Sequence, residues 1–418
     1  MPGLLALSPI VVFLVVYLVS SLLAGDFYKV PVSSAFLVSS VYAIAITPGK
    51  LSHRVSVFSD SAGHWNIMLM VWIFMLAGAF AGSAKEIGSI EATVNFTLSI
   101  MPAKALLAGL FLTACFVSLA IGTSVGTIVA LVPIANGIAA QTGLSQSMMA
   151  ALIVGGSFFG DNLSFISDTT IAATRAVGCA MRDKFRANFM VVLPAMLVVT
   201  GIYIFKGWDI SVESNTSAIE WLKLIPYLSV ILLALLGLDV TFVLFLGIVL
   251  NAIVGFCTGS LDWYSLLGSI GSGIGGMGDL IIVTLLAGGM LGIIRHNGGL
   301  EYILNGIVRH VHGRKGAELG IGLLTGLANF CTANNTIAII TVGGIVNDIS
   351  EKYQIPKKRA ASLMDIFSCF VQGIIPYGAQ LLMAAGLTGL ATTQIIPFLY
   401  YPFAVGICVL FSIIIGHK

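Results

Sequence analysis

Charge is what this chain has least of: 9% of its 418 residues are Asp, Glu, Lys or Arg, against 58% hydrophobic, and mean hydropathy is +1.02. The stretches between apolar runs are too short for a domain in water, which removes most soluble enzyme classes. Cysteines are few and single. Cys115, Cys179, Cys257, Cys331, Cys369 and Cys408 show no CxxC spacing, so neither a disulfide framework nor a thiolate metal site is indicated. The six histidines lie at or beyond the ends of apolar runs, which argues against a buried histidine proton relay. There is no nucleic-acid footprint.

What the chain does have is apolar runs of membrane-spanning length, near 4–24, 31–49, 65–84, 105–140, 146–173, 188–206, 222–238, 240–257, 278–294, 317–347, 360–387 and 394–416. This pattern belongs to an all-α polytopic protein whose partner is the lipid bilayer. Leu4–Ala24 is too long for a signal-peptide core and follows no basic residue, so it reads as a retained first span. The fourth and tenth runs exceed the ~20 residues that cross a bilayer core. Each carries a polar break, GTSVGT at Gly122–Thr127 and CTANNT at Cys331–Thr336, so each is one long span or a re-entrant hairpin.

Basic residues choose between these, because cytoplasmic loops collect Lys and Arg. With hairpins at 104–141 and 316–349, 15 of the 20 basic residues, Lys184 and Lys418 among them, share one side, and Lys29, Lys85, Lys104, Lys206 and Lys223 take the other. Simple crossings would give 11 against 9. Hairpins are expected, with both termini cytoplasmic. LAGAFAGSAKEIGSIEATV (Leu76–Val94) aligns with LAGGMLGIIRHNGGLEYIL (Leu286–Leu304) at an offset of 210 (301 − 91), Glu91 falling on Glu301. Two repeats follow, 1–206 and 207–418, each of five crossings plus one hairpin, and the odd number of crossings turns the second upside down. Inverted repeats with broken helices near the midplane mark the binding site of a secondary transporter.

The first broken helix, 146–173, contains GDNLSFISDTT at Gly160–Thr170. A charged side chain at that depth costs at least ~2.5–3.5 kcal/mol, so Asp161 and Asp168 are expensive as decoration. Seven residues apart on a helix, they would share one face with Ser164 between them. Asn162, Ser167, Thr169 and Thr170 add oxygen. Oxygen ligands without His or Cys suit Na+ or a proton, and a desolvated carboxylate holds one or the other in turn. One of the two aspartates could instead merely cap a half-helix.

The second broken helix, 360–387, has no twin of this stretch. SLMDIFSCFVQGIIPYGAQ (Ser362–Gln380) offers Asp365, with Arg359 six residues away as a membrane-face partner, and the uncharged Gln372, Tyr377 and Gln380. At the hairpin tips Thr123, Ser124, Thr127, Thr332, Asn334, Asn335 and Thr336 place hydroxyls and amides where half-helices start and stop. They either line a site or satisfy freed backbone locally.

The pattern G-D-x-x-S-x-x-S-D-T-T, complete at Gly160–Thr170, resembles the signature of the NhaC-type Na+/H+ antiporters of the ion-transporter superfamily, and the resemblance extends over essentially the whole chain. An acidic residue followed by IPY stands where that family usually has IPW. The resemblance implies two scaffold-plus-hairpin repeats, a homodimer in the plasma (inner) membrane and a transport domain moving in elevator fashion. It also implies Asp161 and Asp168 as cation and proton carriers and Asp365 as a second-half contributor. Two departures stand out: Tyr377-Gly378-Ala379-Gln380 where the family commonly has an Asn, and Ile171 with Arg175 after SDTT.

The expected function is Na+/H+ antiport, with Na+ and H+ as partners and no cofactor. The alternative is a Na+- or H+-coupled carrier of a small organic acid or amino acid held by the polar tips; the absence of a mid-membrane Arg argues mildly against it. An intramembrane aspartyl protease, suggested by a lone Gly160-Asp161, gives no reason for a repeat or paired hairpins. Nothing resembles a symmetric pore filter.

Overall fold

The computed structural model describes residues 3–24, 31–165, 167–208, 210, 220–310 and 312–416. Lys29, His417 and Lys418 lie outside the described residues. The first half holds α1 (Gly3–Ala24), α2 (Val32–Ile46), α3 (Leu51–Ala62), α4 (Trp65–Glu86), α5 (Ser89–Ile100), α6 (Leu106–Ile121), α7 (Ser124–Thr142), α8 (Gln146–Leu163), α9 (Asp168–Val177) and α10 (Met181–Gly207). The second half holds α11 (Trp221–Leu235), α12 (Val240–Thr258), α13 (Trp263–Gly276), α14 (Gly278–His296), α15 (Gly299–His310) and α16 (Gly313–Thr332). It ends with α17 (Asn335–Lys352), α18 (Lys357–Ile374), α19 (Ala379–Thr388), α20 (Thr392–Ile395) and α21 (Tyr400–Ile415).

Every apolar run of the sequence is helical. Among the described residues eight helices or joined helix pairs are long and apolar enough to cross a membrane, or nine if the pair Thr392–Phe398 and Tyr400–Ile415, bent by 53°, is one span. The protein is therefore an integral, multi-pass helical membrane protein. α8 and α9 continue one another across their break as a single span, as do α18 and α19. Neither α16 nor α17 is among the apolar spans.

Four helices had no counterpart in the apolar runs: α3, α5, α13 and α15. α3 has no buried residue and carries Ser, His, Arg and Asp, so it shows no continuous apolar run to read. α13 is masked by its glycines; a capping box starts it, Asp262 accepting from Ser265 N (2.7 Å) while Ser265 Oγ accepts from Asp262 N (2.9 Å).

Helix boundaries recur between the halves. α8 and α18 are 211 residues apart at both ends (357 − 146 = 374 − 163), and so are α9 and α19 (379 − 168 = 388 − 177). Packing is reciprocal as well: α3 lies on α14 while α13 lies on α4, α1 on α15 while α11 lies on α5, and α9 on α17 while α19 lies on α7. The centre of the molecule is α8 and α18, the most enclosed of the long apolar spans.

Small residues set the closest crossings. At the α4–α13 contact a Cβ on Gly273 would overlap the Gly78 carbonyl, and one on Gly78 would overlap the Gly273 carbonyl, whereas Gly271 faces open space. Gly273→Ala is therefore expected to cost about 1–3 kcal/mol by overpacking, seen as a lower melting temperature in detergent. Gly271→Ala should leave the melting temperature unchanged or raise it slightly.

Candidate functional site

Glycine brings α8 against α6. A Cβ at Gly160 would collide with Ser118 and one at Gly156 with Ala114 and the Phe111 carbonyl. Ser118 Oγ uses this proximity to donate to Ser157 O at 2.6 Å. Asn329 Nδ2 makes the matching bond to Ser368 O at 2.6 Å between α16 and α18, both partners displaced by the same 211 residues (329 − 118 = 368 − 157).

α8 stops at Leu163, with Ser164 extended behind it. Its last carbonyls have no helical partners and no bulk water, and the polar stretch supplies them. Ser167 Oγ and Thr169 Oγ1 donate to Asp161 O (2.8 and 3.2 Å), and Thr170 Oγ1 donates to Ser164 O (2.8 Å). Ser167 also caps α9, accepting from Thr170 N at 3.3 Å. Most hydroxyls of the signature are thus engaged by the freed backbone of the break.

Asn162 O is satisfied from α10: Lys184 Nζ at 2.9 Å and Asn188 Nδ2 at 2.7 Å. Lys184 is 1% exposed and pairs at 2.8 Å with Oδ2 of Asp365, which is 0% exposed. Asn188 Nδ2 holds the same Oδ2 at 2.6 Å, and Lys184 Nζ also donates to Thr170 Oγ1 at 2.7 Å. Asp161, 4% exposed, faces the N-terminus of α7 and accepts from Ser124 N at 3.0 Å. A helix N-terminus carries partial positive charge and favours an anion there.

The two hairpin tips are joined through side chains of the second half. Gln380 Nε2 donates to Ser124 Oγ (2.9 Å), Gln372 Nε2 to Gln380 Oε1 (3.0 Å), and Gln372 Nε2 also to Ala333 O (3.1 Å), at the tip between α16 and α17. Gln372 is the residue 211 positions beyond Asp161 (372 − 161), so the equivalent place holds an acid in one half and an amide in the other. Tyr377 Oη donates to Phe330 O at 2.8 Å. Thr127 Oγ1 returns to Thr123 O (3.1 Å), Thr332 Oγ1 to Asn334 O (3.1 Å), Asn334 Oδ1 caps Ile337 N (2.9 Å), and Asn335 Oδ1 accepts from Thr336 N (3.0 Å). At these positions tip polarity satisfies local backbone. Gly122 turns the first tip at φ 76°; Ala333 turns the second at φ 50°, a left-handed conformation a Cβ disfavours by roughly 1–2 kcal/mol.

Three expectations need correction. Asp161 and Asp168 do not share a helical face: the break separates them, leaving Asp168 exposed at the start of α9 while Asp161 is buried. Asp365 does not pair with Arg359, whose Nε and Nη2 bind Glu318 Oε2 (2.9 and 2.8 Å) and whose Nη2 also reaches Ser412 Oγ (2.9 Å). Lys184 is no loop charge, so it does not belong in the count of basic residues by side. Lys184, Asn188 and Tyr401, which accepts from Asn162 Nδ2 at 3.2 Å, were not singled out in the sequence. The one available signal was Lys184 and Asn188 at i and i+4, which share a helix face.

Asp365 Oδ1, Asn162 Oδ1, Asn188 Oδ1 and Gln372 Oε1 are buried oxygens with no hydrogen-bond partner. Oxygen of this kind suits a hard monovalent cation; among the described residues no cluster of His, Cys, Asp or Glu could hold a metal ion. A cavity of about 630 Å³ reaches Cys331 and Thr332 at the second tip, lined also by Asp60, His64, Asn66, Arg295 and His296.

A multi-pass helical protein with broken spans converging on buried carboxylates is a membrane transporter, not an enzyme. The Na+/H+ antiporter family matches residues 3–208 and 215–417, and the chain belongs to that family. It is 23% identical to the "Malate-2H(+)/Na(+)-lactate antiporter" of Bacillus subtilis, over 97% of this chain and 94% of that protein. It is 24% identical to the "Na(+)/H(+) antiporter NhaC" of the same organism, over 82% and 83%. It is 22% identical to the "Arginine/ornithine antiporter ArcD" of Halobacterium salinarum, over 80% and 75%. Among solved structures, the YdaH transporter of Alcanivorax borkumensis aligns over 92% of this chain and 97% of its own, at 12% identity and a TM-score of 0.44.

Removing one member of the buried Glu318–Arg359 pair strands the other charge, so Glu318→Gln or Arg359→Gln is expected to cost about 3–5 kcal/mol. Thermal unfolding in detergent should show both single variants well below wild type, and Glu318→Gln/Arg359→Gln losing less than the two singles together.

Proposed function

We propose that this antiporter exchanges Na+ for H+ at Asp161, with the unpartnered amide oxygens of Asn162, Asn188 and Gln372 completing the site. The observation that carries this reading is a carboxylate 4% exposed, aimed at the start of α7, beside buried oxygens that lack donors. Burial without a cation or proton is costly for such a group, so one or the other accompanies it. Competition between them for one carboxylate is the exchange. Asp168, at the exposed start of α9, collects cations on the way in rather than carrying them.

The reciprocal packing and matched boundaries support two repeats, 1–206 and 207–418, inverted relative to one another. In this reading α6–α7 and α16–α17 are re-entrant hairpins; α16 and α17 fall outside the apolar spans, while α6 and α7 are each long and apolar enough to cross. Tips that each close on a broken helix of either half suit a transport domain carried as one body, the elevator arrangement. Both termini lie in the cytoplasm of a cell whose plasma (inner) membrane holds the protein, as a homodimer.

A second reading has a specific observation behind it. A cavity of about 630 Å³ with Arg295, His64, His296, Asn66 and Thr332 in its wall has the volume and polar groups of a small-molecule site. Relatives are named for malate, lactate, arginine and ornithine. In that case a small organic acid or amino acid occupies the cavity, and the carboxylate site binds the coupling ion.

Liposomes loaded with a pH-sensitive dye and given external Na+ separate the two. Wild type is expected to release protons, Asp161→Asn to be silent, and Asp168→Asn to keep the exchange at a reduced rate. Proton silence in wild type, together with Na+-driven uptake of a labelled organic acid, would replace the first reading with the second.

A further inference from the structure

The exchange reading leaves a buried cation without a task. Lys184 has three N–H donors and spends all three on oxygens: Asn162 O at 2.9 Å, Thr170 Oγ1 at 2.7 Å and Asp365 Oδ2 at 2.8 Å. A backbone carbonyl, a hydroxyl and a carboxylate are the ligand set a hard monovalent cation would take. Asn188 Nδ2 holds the same carboxylate oxygen at 2.6 Å, and both partners of the ion pair are shut off from solvent. Breaking such a pair strands a buried charge, so the pair persists while the neighbouring site changes occupant.

The charges around it can be counted. Asp161, Asp365 and Lys184 sum to one negative charge. On α9 Asp168 and Arg175 are exposed, on α10 Arg182, Asp183, Arg186 and Lys206 are exposed, and on α18 Lys357 and Lys358 are exposed. On α18 Arg359 is already neutralised by Glu318, and the nearby Cys369 and Tyr401 carry no formal charge at neutral pH. Only one monovalent cation or proton is therefore needed to neutralise the buried cluster.

Resting on the Na+/H+ reading, we propose that Lys184 is a tethered counter-cation that holds Asp365 out of the exchange cycle. Asp161 is then the sole carrier, and exchange runs one Na+ for one H+ without net charge movement. Lys184 is a positioning residue here: it acts by fixing how many carboxylates take part. Without it, the unpartnered Asp365 Oδ1 becomes a second landing place for a proton, and a Na+ shared by two carboxylates would be exchanged for two protons.

The test is proteoliposome exchange with an imposed K+ diffusion potential, comparing wild type, Lys184→Gln and Lys184→Gln/Asp365→Asn. Expected are a wild-type rate unmoved by the potential, a Lys184→Gln rate changed several-fold by it, and a double variant that is potential-insensitive again. Potential-driven exchange in wild type would overturn the proposal, and so would a potential-insensitive Lys184→Gln. If Lys184→Gln fails to fold, wild type and the double variant decide: a correctly folded double variant that no longer exchanges makes Asp365 a carrier and refutes the assignment. Complete absence of Na+-driven proton movement in wild type refutes the exchange reading itself.

Discussion

A helix that stops inside a bilayer leaves carbonyls or amides with neither helical partners nor water, and each must find a donor or acceptor nearby. That constraint organises the centre of this protein. The end of α8 exposes Asp161 O, Asn162 O and Ser164 O, and the answering donors come from Ser167, Thr169 and Thr170 of the break itself and from Lys184 and Asn188 of α10. The start of α7 exposes Ser124 N, and the answer is the Asp161 carboxylate. The polarity that would be costly in lipid is therefore the means by which broken helices become stable.

The same requirement brings function. A carboxylate that satisfies a helix start is a buried charge, and the enclosure of α8 limits the water that shares it. Asp161 and Gln372 occupy equivalent places in the two halves, one facing the start of α7 and the other donating to the Ala333 carbonyl beyond α16. At this offset the two halves differ by an acid in one and an amide in the other. Asp365 adds a second acid from a position with no acidic counterpart, Val154 standing 211 residues before it (365 − 154). Lys184 balances it.

Much of this was legible in the sequence. The apolar runs marked helices because lipid demands continuous hydrophobicity, although the tenth became α16 and α17, which are not among the apolar spans; glycines with polar residues marked the breaks after Leu163 and Ile374. GDNLSFISDTT marked the break between α8 and α9, where Asp161 is buried, because charged residues are rare at that depth. The α3, α5, α13 and α15 helices were not legible, since short helices that are amphipathic or glycine-rich leave no apolar run. The Lys184–Asp365 pair could not be read either: nothing in the spacing of α10 and α18 says that their faces meet, whereas Arg359, near in sequence, looked the better partner. Likewise the seven-residue spacing of Asp161 and Asp168 implied a shared face only for an unbroken helix.

Calorimetric titration of Na+ into the purified protein, repeated in buffers of different ionisation enthalpy, addresses the central claim most directly. If Asp161 exchanges a proton for the cation, a proton is released for each Na+ bound, and Asp161→Asn abolishes both binding and release. Na+ binding with no proton released, or binding undiminished in Asp161→Asn, would contradict the account.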